Sequence, residues 1–227
     1  MGCDKIKICG LFREEDIEYV NEAKPDYIGF VFAESRRQIA PALAERLRRR
    51  LGEGIIPAGV FADAPFGEII ALYRDGVIDL AQLHGREDEA YIAGLKDLSA
   101  GCGRGAIPVI KAIAGDGAAR IFPAGRVSPA AQVPGSGQIP GSADFLLLDS
   151  GAGSGKTFDW TVLGSPRSGA APGRKPWFLA GGIGLGNLAE ALRLEPFGVD
   201  ISSGAERDGV KDREKILRLV AQVHVPR

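Results

Sequence analysis

The chain is short of the residues that staple or metallate small proteins. Its 227 residues include three cysteines (Cys3, Cys9 and Cys102) and two histidines (His84 and His224). No two cysteines form a C-x-x-C pair, so neither a disulfide framework nor a zinc site is expected, and the thiols read as reduced. Charge of one sign is also missing. With 28 basic and 29 acidic residues the net charge is −1, which gives no electrostatic basis for binding nucleic acid or an anionic membrane. No apolar run approaches the roughly 20 residues of a membrane span. Asp4, Lys5 and Lys7 crowd the start with charge and precede no apolar signal segment. Met1-Gly2 would suit myristoylation, but Ile6 stands where Ser or Thr is needed. These absences leave a soluble cytoplasmic enzyme as the default.

What is present is an alternation. Short β-rich runs at Ile6–Cys9, Tyr27–Phe32, Ile56–Phe61, Asp79–Leu83, Pro108–Ile113, Asp144–Leu148, Trp177–Ala180 and Val199–Ser202 are separated by helical patterns at 14–23, 41–51, 66–75, 87–98, 187–194 and 212–223. Pro41 suits the first position of a helix, and Glu87-Asp88-Glu89 suits an acidic first turn. Eight strands alternating with helices fit one α/β domain over 1–227, a (β/α)8 barrel; a doubly wound sheet would show a similar rhythm, typically with fewer strands. Two stretches break it. Residues 114–142 hold four closely spaced prolines (Pro123, Pro129, Pro134 and Pro140), and 164–175 is rich in Gly, Ser and Pro. The fifth and sixth βα connections should therefore be irregular, with short or missing helices.

One segment imitates a nucleotide-binding loop. Gly155-Lys156-Thr157 ends a near match to G-x-x-x-x-G-K-[ST], but Ser150 stands where the first glycine belongs. The run after it leaves room for about two helical turns at most. The segment reads better as an apolar strand ending in a carboxylate, Asp149, and followed by a glycine-rich loop.

In a barrel, chemistry sits where strands end and βα loops begin. Those positions hold Cys9, Arg37, His84, Asp149, Gly181-Gly182 and Ser202-Ser203-Gly204. Strand alternation puts Cys9 on the same side as Lys7, whose charge should favour the thiolate. Asp149 is costly if buried without a partner, so it is either solvated or held for use as an acid. Glycines after the seventh strand and Ser203-Gly204 after the eighth suit an anion, because backbone can approach it closely. Asn187 stands where it would cap the next helix. Arg36 or Arg37 suits bidentate binding of a carboxylate, with a solvated loop arginine as the alternative. His84 is a candidate substrate contact or a satisfied core histidine.

Taken in order, these segments resemble one family. They run from Lys7-Ile8-Cys9-Gly10-Leu11 through Gly29-Phe30-Val31-Phe32, Ser35-Arg36-Arg37, Gly59-Val60-Phe61, Gln82-Leu83-His84-Gly85 and Leu147-Leu148-Asp149-Ser150. They continue through Gly153–Trp160, Ala180-Gly181-Gly182 and Val199–Gly204 to Gly209-Val210-Lys211-Asp212. The pattern resembles the phosphoribosylanthranilate isomerases of tryptophan biosynthesis. The resemblance implies a (β/α)8 barrel without cofactor or metal, acting on a small phosphoribosyl substrate as a monomer or homodimer. It also implies Cys9 as general base, Asp149 as general acid, Arg37 on the anthranilate carboxylate, and the Gly181-Gly182 and Ser203-Gly204 loops on the phosphate. The isomerase of histidine biosynthesis is similar but has a carboxylate where Cys9 stands.

Overall fold

The computed structural model describes residues 3–114, 132–133, 137–138, 140–149 and 175–225. Eight parallel strands close into a barrel in the order β1 (Lys5–Cys9), β10 (Gly198–Ile201), β9 (Trp177–Leu179), β8 (Phe145–Asp149), β5 (Val109–Ala114), β4 (Leu80–Leu83), β3 (Ile56–Phe61) and β2 (Tyr27–Val31). Every expected strand is present, with no end displaced by more than one residue. Around them lie α1 (Glu14–Ala23), α2 (Pro41–Arg50), α3 (Phe66–Arg74), α4 (Glu89–Ala100), α5 (Leu188–Arg193) and α6 (Arg213–His224). The short pairs β6 (Gln132–Val133) with β7 (Gly137–Gln138), and β11 (Glu206–Arg207) with β12 (Val210–Lys211), are antiparallel.

The expected loss of helix from the fifth and sixth connections falls mostly on residues 115–131 and 150–174, outside the described residues. So does the near-P-loop beyond Asp149.

Local chemistry sets the helix ends. Pro41 opens α2 as expected, and Lys24 closes α1 in the left-handed region at φ 56° with its N–H on the Val20 carbonyl. Asp212 caps α6 by accepting from the Lys215 N–H. The start of α4 differs from the sequence expectation. Asp88 is its cap, accepting from Tyr91 N–H at 2.9 Å, and Glu87 lies outside the helix, where Lys111 of β5 takes its carboxylate at 2.7 Å. A buried cation outweighs a place in an acidic first turn.

Alternation along the strands separates two apolar layers. Ile6, Ile8, Val109, Ile113, Leu146, Leu148, Val199 and Ile201 face the helices. Tyr27, Ala58, Leu80, Ile110, Ala112, Leu147, Phe178 and Ala180 fill the lumen. Toward the strands' N-terminal ends the filling is aromatic: Phe178 meets Tyr27 edge-on at 5.5 Å and Phe197 at 5.3 Å, with Phe145 tilted at 5.9 Å. Below them, Asp26 accepts from Lys5 Nζ and the Ile6 N–H and meets His224 Nε2 at 2.9 Å, fastening α6 to the start of β1. Among the described residues no helix is long and apolar enough to cross a membrane.

Candidate active site

The polar inward positions gather at the C-terminal end of the strands. With Ile6 and Ile8 committed to the outer layer, Lys7 and Cys9 face the lumen. The same count sends Gln82 and His84 inward at the end of β4, Asp149 from β8 and Asp200 from β10. β10 and β9 lie between β1 and β8 in the wall, so thiol and carboxylate approach the mouth from nearly opposite sides.

Cys9 sits in a tight polar pocket. Lys7 is fully buried, and its Nζ lies 2.9 Å from Asp200 Oδ1, the residue opposite it in register. Gly29 stands opposite Cys9 on β2, where a Cβ would come within 2.6 Å of the Cys9 Sγ and 3.2 Å of the Lys7 Nζ. Only glycine leaves room for both groups there. Burial pushes the Cys9 thiol above its ordinary pKa, and Asp200 adds to the rise; Lys7 and Lys211 pull the other way without cancelling it. The sequence therefore anticipated the pull of Lys7 and missed the carboxylate that opposes it. Burial also works against the Lys7 charge, but Asp200 and Cys9 more than offset it, leaving this ammonium above its ordinary value.

Across the mouth, His84 meets Asp149, with Nε2 3.3 Å from Oδ2. Gln82 Nε2 lies 3.3 Å from His84 Nδ1. The ring thus lies between the Gln82 amide and the Asp149 carboxyl. The sequence had both residues at strand ends without their contact.

Arg37 lies over the end of β1. Gly10 holds φ +83°, and a Cβ on it would meet Arg37 Cδ at 2.3 Å, so the glycine provides both the turn and the space. Arg37 donates from Nε and Nη2 to the two oxygens of Glu206, at 2.6 and 3.1 Å. Arg36 Nη2 reaches the same carboxylate at 2.6 Å and Lys211 Nζ at 2.8 Å. Three cations on one carboxylate leave two positive charges in excess at the rim. Burial pushes Glu206 up, but hydrogen bonds from Arg37 and Lys211 overturn that and hold it down at about 2. One edge of the fork that the sequence offers to a ligand is thus already held in place. Glu206 carries no recognisable signal in the sequence, because its role depends on the two-residue β11–β12 hairpin.

Two glycine loops complete the rim. Gly181 and Gly182 hold φ of +93° and +67°, beyond easy reach of other residues. Asn187 does stand at the N-cap of α5, but its side chain makes no cap bond. It accepts from the Gly184 N–H at 2.8 Å and donates to the Gly182 carbonyl at 3.1 Å, holding the loop. Gly184 pairs with Gly204 in a parallel bridge. A Cβ on Gly204 would fall 1.9 Å from the Ile183 carbonyl oxygen, so the two loops touch through backbone. Ser203 lies exposed beside them, and the Ser202 hydroxyl donates to the Cys9 carbonyl at 3.1 Å. Among the described residues no group of three or more His, Cys, Asp or Glu is placed to hold a metal ion.

A closed parallel barrel with its polar side chains gathered at one mouth defines the class: an enzyme of the (β/α)8-barrel type. Comparison with known proteins gives the family. The model of the N-(5'-phosphoribosyl)anthranilate (PRA) isomerase family matches residues 6–118 and 125–222, and the chain belongs to that family. An N-(5'-phosphoribosyl)anthranilate isomerase of Endomicrobium trichonymphae is 43% identical over 222 residues, covering 95% of this chain and 96% of its own. The crystal structure of phosphoribosyl anthranilate isomerase from Thermus thermophilus is similar at 33% identity and a TM-score of 0.73, over 96% of this chain and 98% of that one. Another such isomerase, solved in complex with reduced 1-(o-carboxyphenylamino)-1-deoxyribulose 5-phosphate, has 26% identity and a TM-score of 0.69, over 96% and 97%.

Proposed function

We propose that this chain catalyses the reaction of its family, the Amadori rearrangement of N-(5-phosphoribosyl)anthranilate to 1-(2-carboxyphenylamino)-1-deoxyribulose 5-phosphate in tryptophan biosynthesis. The observation that carries the mechanism is the arrival of Cys9 and Asp149 at one mouth from nearly opposite strands. Asp149, as general acid, gives a proton to the furanose ring oxygen. The C1–O bond breaks, and the amine lone pair forms a C1=N iminium. Cys9, as thiolate, removes the proton from C2, and the released electron pair forms the enolamine. C1 then takes the proton held by the Cys9 thiol and the 2-hydroxyl returns one to Asp149, giving the ketone; the thiolate regains its resting proton from solvent. No electrons leave the substrate, so the balance closes without a redox partner.

The environment supports this assignment in stages. A buried thiol rests protonated, because burial and Asp200 hold its pKa up. Ring opening places a cation beside it, which favours the thiolate; the thiol gives its proton to solvent at the open mouth, and the thiolate then takes the C2 proton. Arg37, held by Glu206, takes the anthranilate carboxylate, and the positive excess at the rim draws inward a substrate that carries both a carboxylate and a phosphate. His84, with Nε2 3.3 Å from Asp149 Oδ2, lines the substrate. Gly181, Gly182, Ser203 and Gly204 receive the phosphate, whose negative charge suits backbone N–H groups that side chains do not shield. Closure of the barrel by β1 against β10 supports reading 1–227 as one domain. The near-zero net charge supports a chain that binds no nucleic acid or anionic membrane; a cytoplasmic monomer or homodimer is part of the same proposal.

The test is turnover by purified protein of N-(5-phosphoribosyl)anthranilate generated in place, followed by loss of anthranilate fluorescence, together with rescue of a tryptophan auxotroph lacking this step. Folded protein that does neither would indicate a barrel that binds phosphosugars without converting them.

A further inference from the structure

Lys111 lies outside the lumen. On β5, Ile110 and Ala112 face inward and Val109 and Ile113 face the helices, so Lys111 enters the layer behind the strands, beneath the loop after β4. Its side chain is 3% exposed and that of its partner Glu87 is 1% exposed. Such a pair is a poor means of stabilising a fold. Desolvating both charges costs several kcal/mol per ion, and apolar side chains of similar volume often serve as well or better. A buried pair at the active-site end of the barrel therefore needs another reason to be there.

Its hydrogen bonds supply one. The ammonium that meets Glu87 Oε2 also donates to the carbonyls of Gly85 at 2.7 Å and Leu83 at 3.4 Å. Those two carbonyls flank His84, so one group grips the chain on both sides of the histidine. The His84 N–H is fixed as well, donating to the Phe61 carbonyl at 2.8 Å. Glu87 Oε1 accepts from the Asp63 N–H at 2.8 Å, and Asp63 accepts from the Arg86 N–H at 2.7 Å. A Cβ on Gly85 would lie 2.6 Å from Asp63 Oδ1. The loops after β3 and β4 thus form one block around Lys111. From that block His84 extends to Asp149, and Gln82 orients its ring even though, among the described residues, Gln82 Oε1 is buried without a partner.

We propose that Lys111, paired with Glu87, is a positioning residue for the acid half of the reaction: it fixes the turn that presents the His84 imidazole to Asp149. This inference rests on the reading of Asp149 as general acid. Lys111 touches no substrate and acts through His84 alone.

The test replaces both charges together, Lys111→Met with Glu87→Gln, so that no lone buried charge remains to unfold the chain. Misplacing a reacting group by about 1 Å can cost on the order of 100-fold; kcat is expected to fall by about 10- to 100-fold with KM little changed. Nitrogen NMR gives an independent readout, since the chain has two histidines and His224→Ala identifies the His84 signals. Those signals are expected to shift in the double variant, and Lys111→Arg, which keeps the charge for Glu87, to recover part of kcat. A folded double variant with unaltered kcat and unaltered His84 signals would overturn the proposal. Should His84 shift while Asp149→Asn leaves wild-type turnover intact, the acid assignment fails and the positioning of His84 stands. A lower melting temperature with both readouts unchanged would make the pair merely structural and also overturn it.

Discussion

Lys7 and Asp200 face each other across the β1–β10 ladder and join at 2.9 Å inside the barrel, directly beneath the Cys9 thiol. Asp200 opposes the lysine's pull on the thiol, so the lysine cannot act on sulfur with its whole charge.

Asp200→Asn should therefore lower the Cys9 pKa. It removes a charge that raises the thiol's value and releases Lys7 to act on it. Thiolate absorbance, taken as the difference from a Cys9→Ala background, should rise at lower pH than in the parent chain, and the alkaline rise of kcat/KM should move down with it. The cost falls on stability: a buried ion left without its partner typically loses about 3–5 kcal/mol, visible as a lower denaturant midpoint. An unmoved thiol titration in a folded variant would exclude this coupling.

Cys9→Ala and Asp149→Asn should each lower kcat by about 10²- to 10⁴-fold, the usual contribution of a positioned acid or base. Circular dichroism should remain that of the parent, since neither side chain supports the apolar layers. Near-parental turnover by Cys9→Ala would remove sulfur from the role of base.

Gly204→Ala forces the two rim loops apart, because the new methyl meets the Ile183 carbonyl and the Gly184 Cα rather than a yielding side chain. The expected result is a rise in KM, with inorganic phosphate losing its power as a competitive inhibitor. An unchanged phosphate inhibition constant would place the phosphate elsewhere.

Asp26→Asn tests the opposite end of the barrel. Burial pushes the Asp26 carboxyl up, but bonds from Lys5, His224 and the Ile6 N–H overturn that and leave it below its ordinary value of 3.8. A depressed carboxylate stabilises the fold above its unfolded value and loses that contribution as pH falls through the folded one. The variant should melt below the parent at neutral pH, and the two curves should converge as pH drops below 3.8. Parallel curves down to acid pH would show that ionisation of Asp26 does not matter. Catalysis should be untouched, since this cluster sits at the far end of the strands.

Sequence pattern was enough for the barrel because alternation and helical spacing are local properties, and strand ends locate the mouth. Cys9, Asp149, Arg37, His84 and the glycine loops all lie there. What escaped the sequence depends on closure. Asp200 reads as an ordinary acid in Val199-Asp200-Ile201 until β10 is laid against β1. Glu206 reaches Arg37 only through a hairpin two residues deep. Glu87 looked like part of a helix because nothing in its own neighbourhood announces Lys111. Asn187 had the residue type of a helix cap and spends its side chain on the loop before it. For the three acids the deciding partner is distant in sequence; for Asn187 it is the neighbouring loop.

The packed rings of Tyr27, Phe145, Phe178 and Phe197 give the barrel a floor. The lumen is a cup with a single rim, and nothing passes through it. Substrate and product must use the same doorway in turn, so departure of one molecule is the condition for admission of the next. Accumulated product would then act as a plain competitor for entry, coupling the pace of this step to whichever enzyme empties the cup's surroundings.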